Sequence, residues 1–241
     1  MALEIHTLTA LKDNFIYALT DNESGCAVID PGEAGPVQAF LRHTGRRLSH
    51  ILCTHHHWDH VDGVAELQSE SGCAVWGAER DRDRIPGLTH ALREGPGYEL
   101  LGEPLAVMEV PGHTVGQIAY LLPKQFDLFV GDTLFSAGCG RLFEGTPAQM
   151  HASLRKIKAL APQTRIYFGH EYTLRNLEFV LSRIQSPPAE LLEYKSDCEI
   201  ARAQGRPTTP SLLARELKVN PFLYAESVDI FREWREARDR W

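Results

Sequence analysis

The sequence predicts a layered α/β core followed by an all-helical C-terminal region. Three observations carry this. Up to about residue 170, short apolar or alternating runs bounded by turn residues interleave with helical patterns. From Tyr172 onward, helical periodicity continues with little strand propensity, punctuated by Pro187, Pro188, Pro207, Pro210 and Pro221. No repeat, low-complexity tract or long linker intervenes, so the 241 residues read as two domains, 1–170 and 171–241.

The elements follow in order. Ile5–Leu8, Phe15–Leu19, Ala27–Ile29 and His50–Cys53 read as strands, as do Leu105–Val110, Ile118–Leu122, Leu128–Val130 and Arg165–Phe168. Between them, Val37–His43, Val61–Ser69 and Ala148–Leu160 carry the helical spacing of apolar residues. Thr146 is placed to cap the last of these, with Pro147 at its first helical position. Strand pairs with no helix between them predict partly antiparallel pairing, and the separate helices predict layers. Beyond residue 170, helices are predicted at Leu174–Ile184, Glu190–Ala203, Leu212–Glu216 and Val228–Arg240.

Composition narrows the class. A hydrophobic fraction of 43% with 24% charged residues excludes a disordered or fibrous chain. No apolar run approaches the 18 or so residues of a membrane span, and Met1–Glu4 lacks the features of a signal peptide, so a cytoplasmic protein is expected. A net charge of −7 argues against nucleic acid and anionic membranes as partners. The five cysteines are odd in number, widely spaced and without a Cys-x-x-Cys pair. They predict buried small hydrophobes in a reducing compartment, not a disulfide framework or a thiolate zinc site.

Histidine is the unusual residue: four of the 11 fall at His55, His56, His57 and His60. This segment ends a predicted strand and precedes a predicted helix. In extended backbone, residues two apart point to the same side, so His55 and His57 can bind one ion while His56 points away. Asp59 and His60 sit at the turn into the helix and can serve a second ion. Imidazole and carboxylate suit zinc, iron or manganese. Three more strand ends offer one ligand each: His113 after Pro111-Gly112, Asp132 after Gly131, and His170 after Gly169. The loops beyond strand ends are where α/β folds build sites. The other histidines are read as structural or surface groups. Asp30, before Pro31-Gly32, ends a further strand and can orient a metal-bound histidine from behind.

Thr-His-x-His-x-Asp-His, followed by the strand-end His, Asp and His, resembles the metallo-β-lactamase superfamily. Its fold, an αββα sandwich, is therefore expected over residues 1–170, with an all-helical C-terminal domain. The stretch from Gly131 to Thr146, Gly169-His170-Glu171-Tyr172-Thr173, and the tail with Arg235 and Arg238 resemble the glyoxalase II (hydroxyacylglutathione hydrolase) family. The resemblance implies two divalent ions per chain, zinc foremost. It places His55, His57 and His113 on the first, Asp59, His60 and His170 on the second, and Asp132 between them. It implies a glutathione thioester as substrate, contacted by Arg141, Phe143, Tyr172, Arg235 and Arg238. Many family members carry lysine and tyrosine at the positions of Arg141 and Phe143, and lysine at that of Arg238. The Phe143 contact therefore lacks a phenol hydroxyl, and the guanidinium of Arg238 brings a different geometry.

The reaction expected from this resemblance is hydrolysis of S-D-lactoylglutathione to D-lactate and glutathione, the second step of methylglyoxal detoxification. The expected nucleophile is a hydroxide bridging the ions, with Asp59 as a proton shuttle. The thiol leaves with little acid help, its pKa being near 8.5. A monomer is expected. Competing readings are another thioester or lactone hydrolase on the same fold, a persulfide dioxygenase with a single iron, and a catalytically silent metal-binding module. On the last predicted helix, Phe231, Trp234, Ala237 and Trp241 share one face, with Arg238 inside it and Arg235 at its edge. An arginine on a packed face needs a partner, and the glycine carboxylate of glutathione is one.

Overall fold

Short apolar runs at the start of the chain build one sheet whose first strands pair antiparallel and whose later strands, joined by helical crossovers, pair parallel. The computed structural model describes residues 2–241. They divide into two compact units: one runs to Glu109 and resumes over Gly116–Gly131, the other comprises Val110–Val115 and Asp132–Trp241.

The first unit opens with β1 (Glu4–Ala10), β2 (Asn14–Thr20) and β3 (Gly25–Ile29), paired antiparallel with Ala10 opposite Asn14 and Tyr17 opposite Ile29. Helix α1 (Ala34–Thr44) crosses to β4 (Arg47–Leu52), parallel to β3. Helices α2 (Trp58–Val61) and α3 (Val64–Ser71) lead to β5 (Ala74–Ala78) and β6 (His90–Leu92), which continue the sheet in parallel. A second set, β7 (Gly95–Leu100), β8 (Glu103–Glu109), β9 (Ile118–Leu122) and β10 (Asp127–Gly131), is antiparallel throughout. Every residue of β2 is buried, because both of its faces are covered. Ile16 on one side joins Val37 of α1 and Val64 and Leu67 of α3 in the core. Tyr17 on the other side packs its ring 5.4 Å from Phe129 of β10. Each fully buried aliphatic side chain of this kind stabilises the fold by about 1.5–3 kcal/mol.

The second unit contains a short hairpin, β11 (Leu134–Phe135) and β12 (Gly138–Cys139), then α4 (Pro147–Lys158), β13 (Arg165–Phe168), α5 (Thr173–Arg183) and α6 (Ala189–Ala203). Strand β14 (Ser211–Leu212) pairs antiparallel with β13 and is followed by α7 (Leu213–Val219), α8 (Pro221–Tyr224) and α9 (Val228–Arg240). The predicted cap of α4 is present as a reciprocal pair: the Thr146 hydroxyl accepts from Gln149 N–H, and the Gln149 side chain accepts from Thr146 N–H. Aromatic rings hold the C-terminal helices together, with Phe222 5.9 Å from Phe231 and Phe179 5.9 Å from Trp234. The β11–β12 hairpin rests on a buried polar network. Glu216 accepts from the Ser136 hydroxyl (2.6 Å) and the Ala137 N–H (2.8 Å), and Asn220 donates to the carbonyls of Phe135 and Gly138.

Two local expectations change. The predicted helix Val61–Ser69 is two helices, α2 and α3. The chain bends at Gly63, whose N–H donates to Pro31 O at 2.9 Å. A side chain there would collide with that carbonyl at 2.6 Å. Strands β5, β6 and β7 were not predicted. β7 begins Gly95-Pro96-Gly97, a composition that signals a turn everywhere except at a sheet edge. All five thiols are free and buried. Among the described residues, no helix is long and apolar enough to cross a membrane.

Candidate metal centre

The histidine-rich segment lies between the end of β4 and α2, in the first unit. Its hydrogen bonds settle the tautomers. Asp30, at the end of β3, accepts from Thr54 N (2.7 Å), the Thr54 hydroxyl (2.7 Å) and His60 Nδ1 (3.0 Å). A carboxylate only accepts, so the proton of neutral His60 sits on Nδ1 and Nε2 presents a lone pair. The Thr54 hydroxyl gives its hydrogen to Asp30, so it accepts from His55 Nδ1 at 3.0 Å. His55 Nε2 then presents its lone pair 3.1 Å from His57 Nδ1. Asp30, His55 and His60, all buried, each offer a ligand atom within 4.8 Å of the others. Imidazole nitrogens and a carboxylate gathered within such reach form a donor set that suits a divalent ion.

Asp59 and His60 both lie in the single turn of α2, with Asp59 Oδ2 3.7 Å from His60 Nε2. His56 points away from His55 and His57, and its Nδ1 meets Asp81 Oδ2 at 3.1 Å. Asp81 is fully buried, so this pair pins the segment from the far side. Gly131 ends β10 with φ +49, and a Cβ there would lie 2.2 Å from the Thr54 hydroxyl. Only glycine fits.

The strand-end ligands of the second unit converge in the same manner. His113 donates from Nδ1 to Arg141 O at 2.8 Å, which leaves the lone pair of the neutral ring on Nε2. That Nε2 lies 3.5 Å from Asp132 Oδ2, and His170 Nε2 lies 3.3 Å from the same oxygen. One carboxylate oxygen thus stands between two imidazoles, the arrangement a bridging ligand needs. All three residues are buried. The His170 ring stacks on Tyr172 with centroids 4.8 Å apart and planes 1° from parallel.

A cavity of about 280 Å³ opens beside His113 and Asp132, and Arg141, Phe143, Tyr172, Arg235 and Arg238 all line it. Arg175 also lines it; nothing in the sequence had singled it out. The roles of the arginines differ. Arg235 is buried: it donates from Nη1 to Cys139 O (2.7 Å) and from Nη2 to Asp239 Oδ1 (3.0 Å). Its Nε is buried without a hydrogen-bond partner among the described residues. Arg238 is half-buried and held by Asn176 Oδ1, 3.4 Å from both Nε and Nη2. Burial, then the charges of Arg235 and Arg175, push its pKa down to about 10, which still leaves it charged at neutral pH. The two arginines have thus exchanged the places expected on the helix face, because Cys139 O and Asp239 draw Arg235 inward. Arg141 pairs with Asp239 at 3.2 Å. Phe143 exposes 63% of its surface, turns a ring edge to His113 (5.3 Å) and donates its N–H to His113 O. Burial pushes the Cys139 thiol up to about 11, so it is protonated at neutral pH and is no nucleophile.

Asn14, Asp81 and Asn176 escaped the sequence reading. Each acts on a residue far away in the chain, and none carries a local signal for it.

Residues 12–170 match the metallo-β-lactamase superfamily, and residues 171–241 match the hydroxyacylglutathione hydrolase C-terminus. A hydroxyacylglutathione hydrolase of Jannaschia sp. (strain CCS1) is 44% identical, with 98% of each chain covered. That of Pseudomonas aeruginosa PAO1 is 49% identical over 92% of this chain and 86% of its own. Among solved structures, ETHE1 from Myxococcus xanthus has a TM-score of 0.73 at 23% identity, covering 98% of this chain and 90% of that one. TTHA1623, solved in a di-iron-bound form, has a TM-score of 0.64 at 27% identity, covering 91% and 100%. The fold is that of the metallo-β-lactamases with an added C-terminal helical domain, and its His/Asp clusters support divalent-metal binding. On sequence, architecture and donor set alike, the chain belongs to the hydroxyacylglutathione hydrolase family of the metallo-β-lactamase superfamily.

Proposed function

We propose that the chain is a metal-dependent thioester hydrolase that cleaves S-D-lactoylglutathione, and other S-2-hydroxyacylglutathiones, to the 2-hydroxy acid and glutathione. One observation carries the reading: the guanidinium-lined cavity of the second unit shares its wall with His113 and Asp132. A receptor for an anionic thiol carrier therefore adjoins hydrolytic metal ligands. His55, His57 and His113 would hold one ion and Asp59, His60 and His170 the other, with Asp132 as the ligand shared between them. Zinc is the first choice, with iron and manganese accepted by the same donors. The di-iron form of TTHA1623 supports a pair of ions. Family membership and the match of residues 171–241 support the substrate. The two family-model ranges also support residues 1–170 as the catalytic domain and 171–241 as the glutathione-binding domain. The protein acts as a cytoplasmic monomer in the second step of methylglyoxal detoxification, with neither nucleic acid nor membrane as a partner.

When bound, the ions supply Lewis acidity and lower the pKa of water from 15.7 toward roughly 7. The residues do the rest. Asp30 fixes His60 through Nδ1, and the Arg141 carbonyl fixes His113 the same way, so each presents Nε2. Arg238 takes the glycine carboxylate, and Arg235 lines the same cavity beside it. Tyr172, stacked on His170, and the exposed ring of Phe143 flank the thioester. Asp59 carries the proton between water and the departing thiolate. Turnover of S-D-lactoylglutathione should stop when the protein is stripped with a chelator and return on adding zinc, iron or manganese, with two ions per chain by elemental analysis. Turnover by metal-free protein would refute the proposal. Oxygen-dependent activity on a persulfide with a single iron would move the assignment to a dioxygenase.

A further inference from the structure

Asn14 is the first residue of β2 and is 6% exposed. It lies far along the chain from any proposed metal ligand. Its Nδ2 nevertheless reaches two atoms of one residue: Asp59 O at 3.0 Å and Asp59 Oδ2 at 3.1 Å. Both are acceptors, so the amide must present its NH₂ group, and the orientation of the Asn14 side chain is fixed by that chemistry. The contacted carboxylate oxygen is the one 3.7 Å from His60 Nε2.

Asp59 needs such a brace. It belongs to a helix of one turn, α2, which carries no side-chain cap. A lone turn fixes little by itself, because helix formation becomes favourable only over many residues. The side chain of Asp59 remains partly exposed, at 20%, so packing alone does not hold it. The sheet supplies the rigidity instead: β2 is buried along its whole length and paired on both edges. An amide suits the task because it donates at every pH. A carboxylate at this position would set a second negative charge about 3 Å from the first and would have no hydrogen to give.

We propose that Asn14 is a positioning residue that locks the backbone and carboxylate of Asp59 as a unit, so that Oδ2 is delivered beside His60 Nε2 before an ion arrives. The inference rests on the reading that Asp59 and His60 hold the second ion. Asn14 then sets the affinity of that ion and leaves the one on His55 and His57 alone. Removing a hydrogen-bond partner of a metal ligand typically lowers metal affinity 10- to 100-fold.

The test is a cobalt(II) titration of metal-free protein, followed by visible absorption and calorimetry, for wild type, Asn14→Ala, Asn14→Asp and Asp59→Ala. The near-isosteric Asn14→Asp guards against misfolding in Asn14→Ala, and thermal melting of the apo-proteins checks both. Wild type should take up two ions. The site weakened by Asp59→Ala should also weaken about 10- to 100-fold in both Asn14 variants, with the other site within about threefold of wild type. Their kcat should recover in excess metal with KM unchanged. Two unaltered sites in a folded variant, or equal weakening of both, would overturn the proposal while leaving the metal pair intact. A wild-type chain that binds fewer than two ions would overturn the metal-pair reading and this inference with it.

Discussion

Truncating Arg238 to alanine separates substrate recognition from fold maintenance. Its Nε and Nη2 share one long contact to Asn176 Oδ1, so the remaining N–H groups are available to a ligand in the cavity. The rings of Trp241 and Phe179, 5.1 and 5.6 Å from the guanidinium carbon, hold it in place beforehand. A charge-assisted hydrogen bond of this kind contributes about 1.5–3 kcal/mol, which corresponds to roughly 10- to 150-fold. Loss of Arg238 also relieves repulsion from Arg235 and Arg175, so the fold should not suffer. The assay is steady-state hydrolysis of S-D-lactoylglutathione beside the same acyl group on a thiol without the glycine carboxylate. Arg238→Ala should lower kcat/KM roughly 10- to 150-fold on the first, mainly through KM, and leave the second unchanged. Arg238→Lys should fall between, since charge survives and the fork does not. Arg235→Ala is the contrast. It strands the carbonyl of Cys139 and should cost about 1–3 kcal/mol of stability. Equal losses on both substrates for Arg238→Ala would refute the carboxylate contact.

Further outcomes follow from the buried acids. Asp30→Ala removes the acceptor that sets the tautomers of His60 and His55. Metal affinity measured by competition with a chelating dye should fall about 10- to 100-fold, and an unchanged affinity would count against the orienting role. Glu216 is fully buried beside the β11–β12 hairpin, and burial raises its pKa from 4.5 despite the bonds from Ser136, Ser211, Ala137 and Asn220. The folded chain therefore keeps a proton that the unfolded chain has lost. Its contribution is complete below the ordinary carboxylate value and is lost as pH rises through the folded one. Urea unfolding from pH 4 upward should show a component of declining stability that Glu216→Gln flattens, and identical pH slopes for the two proteins would dispose of the argument.

Much was legible along the chain because it is local. A strand shows its alternation within five residues, and Ile118–Leu122 and Arg165–Phe168 form strands over the predicted residues. The Thr146–Pro147 start of α4 is a signal of four residues, and the structure adds only Gln149 as the reciprocal partner. The spacing of His55, His57, Asp59 and His60 is local as well, and backbone periodicity alone gave the opposite directions of His56 and His57. Elements whose composition speaks against them were lost. β7 opens with two glycines and a proline, and the break at Gly63 comes from the carbonyl of Pro31 in another loop.

The sequence by itself therefore determined the candidate ligand types, the order of the strand-end loops that carry them, and the change from strands to helices near residue 170. Tertiary structure alone decided which atom each ligand offers. Asp30 must lie beside Thr54 before the proton of His60 is assigned to Nδ1, and Arg141 must fold back on His113 before its Nε2 is turned outward. It also decided that Arg235 braces a hairpin while Arg238 faces the cavity, and that Asn14 reaches Asp59. The physical reason is common to these cases. A hydrogen bond is settled by approach within about 3 Å, and residues tens of positions apart have no such distance until the chain is folded.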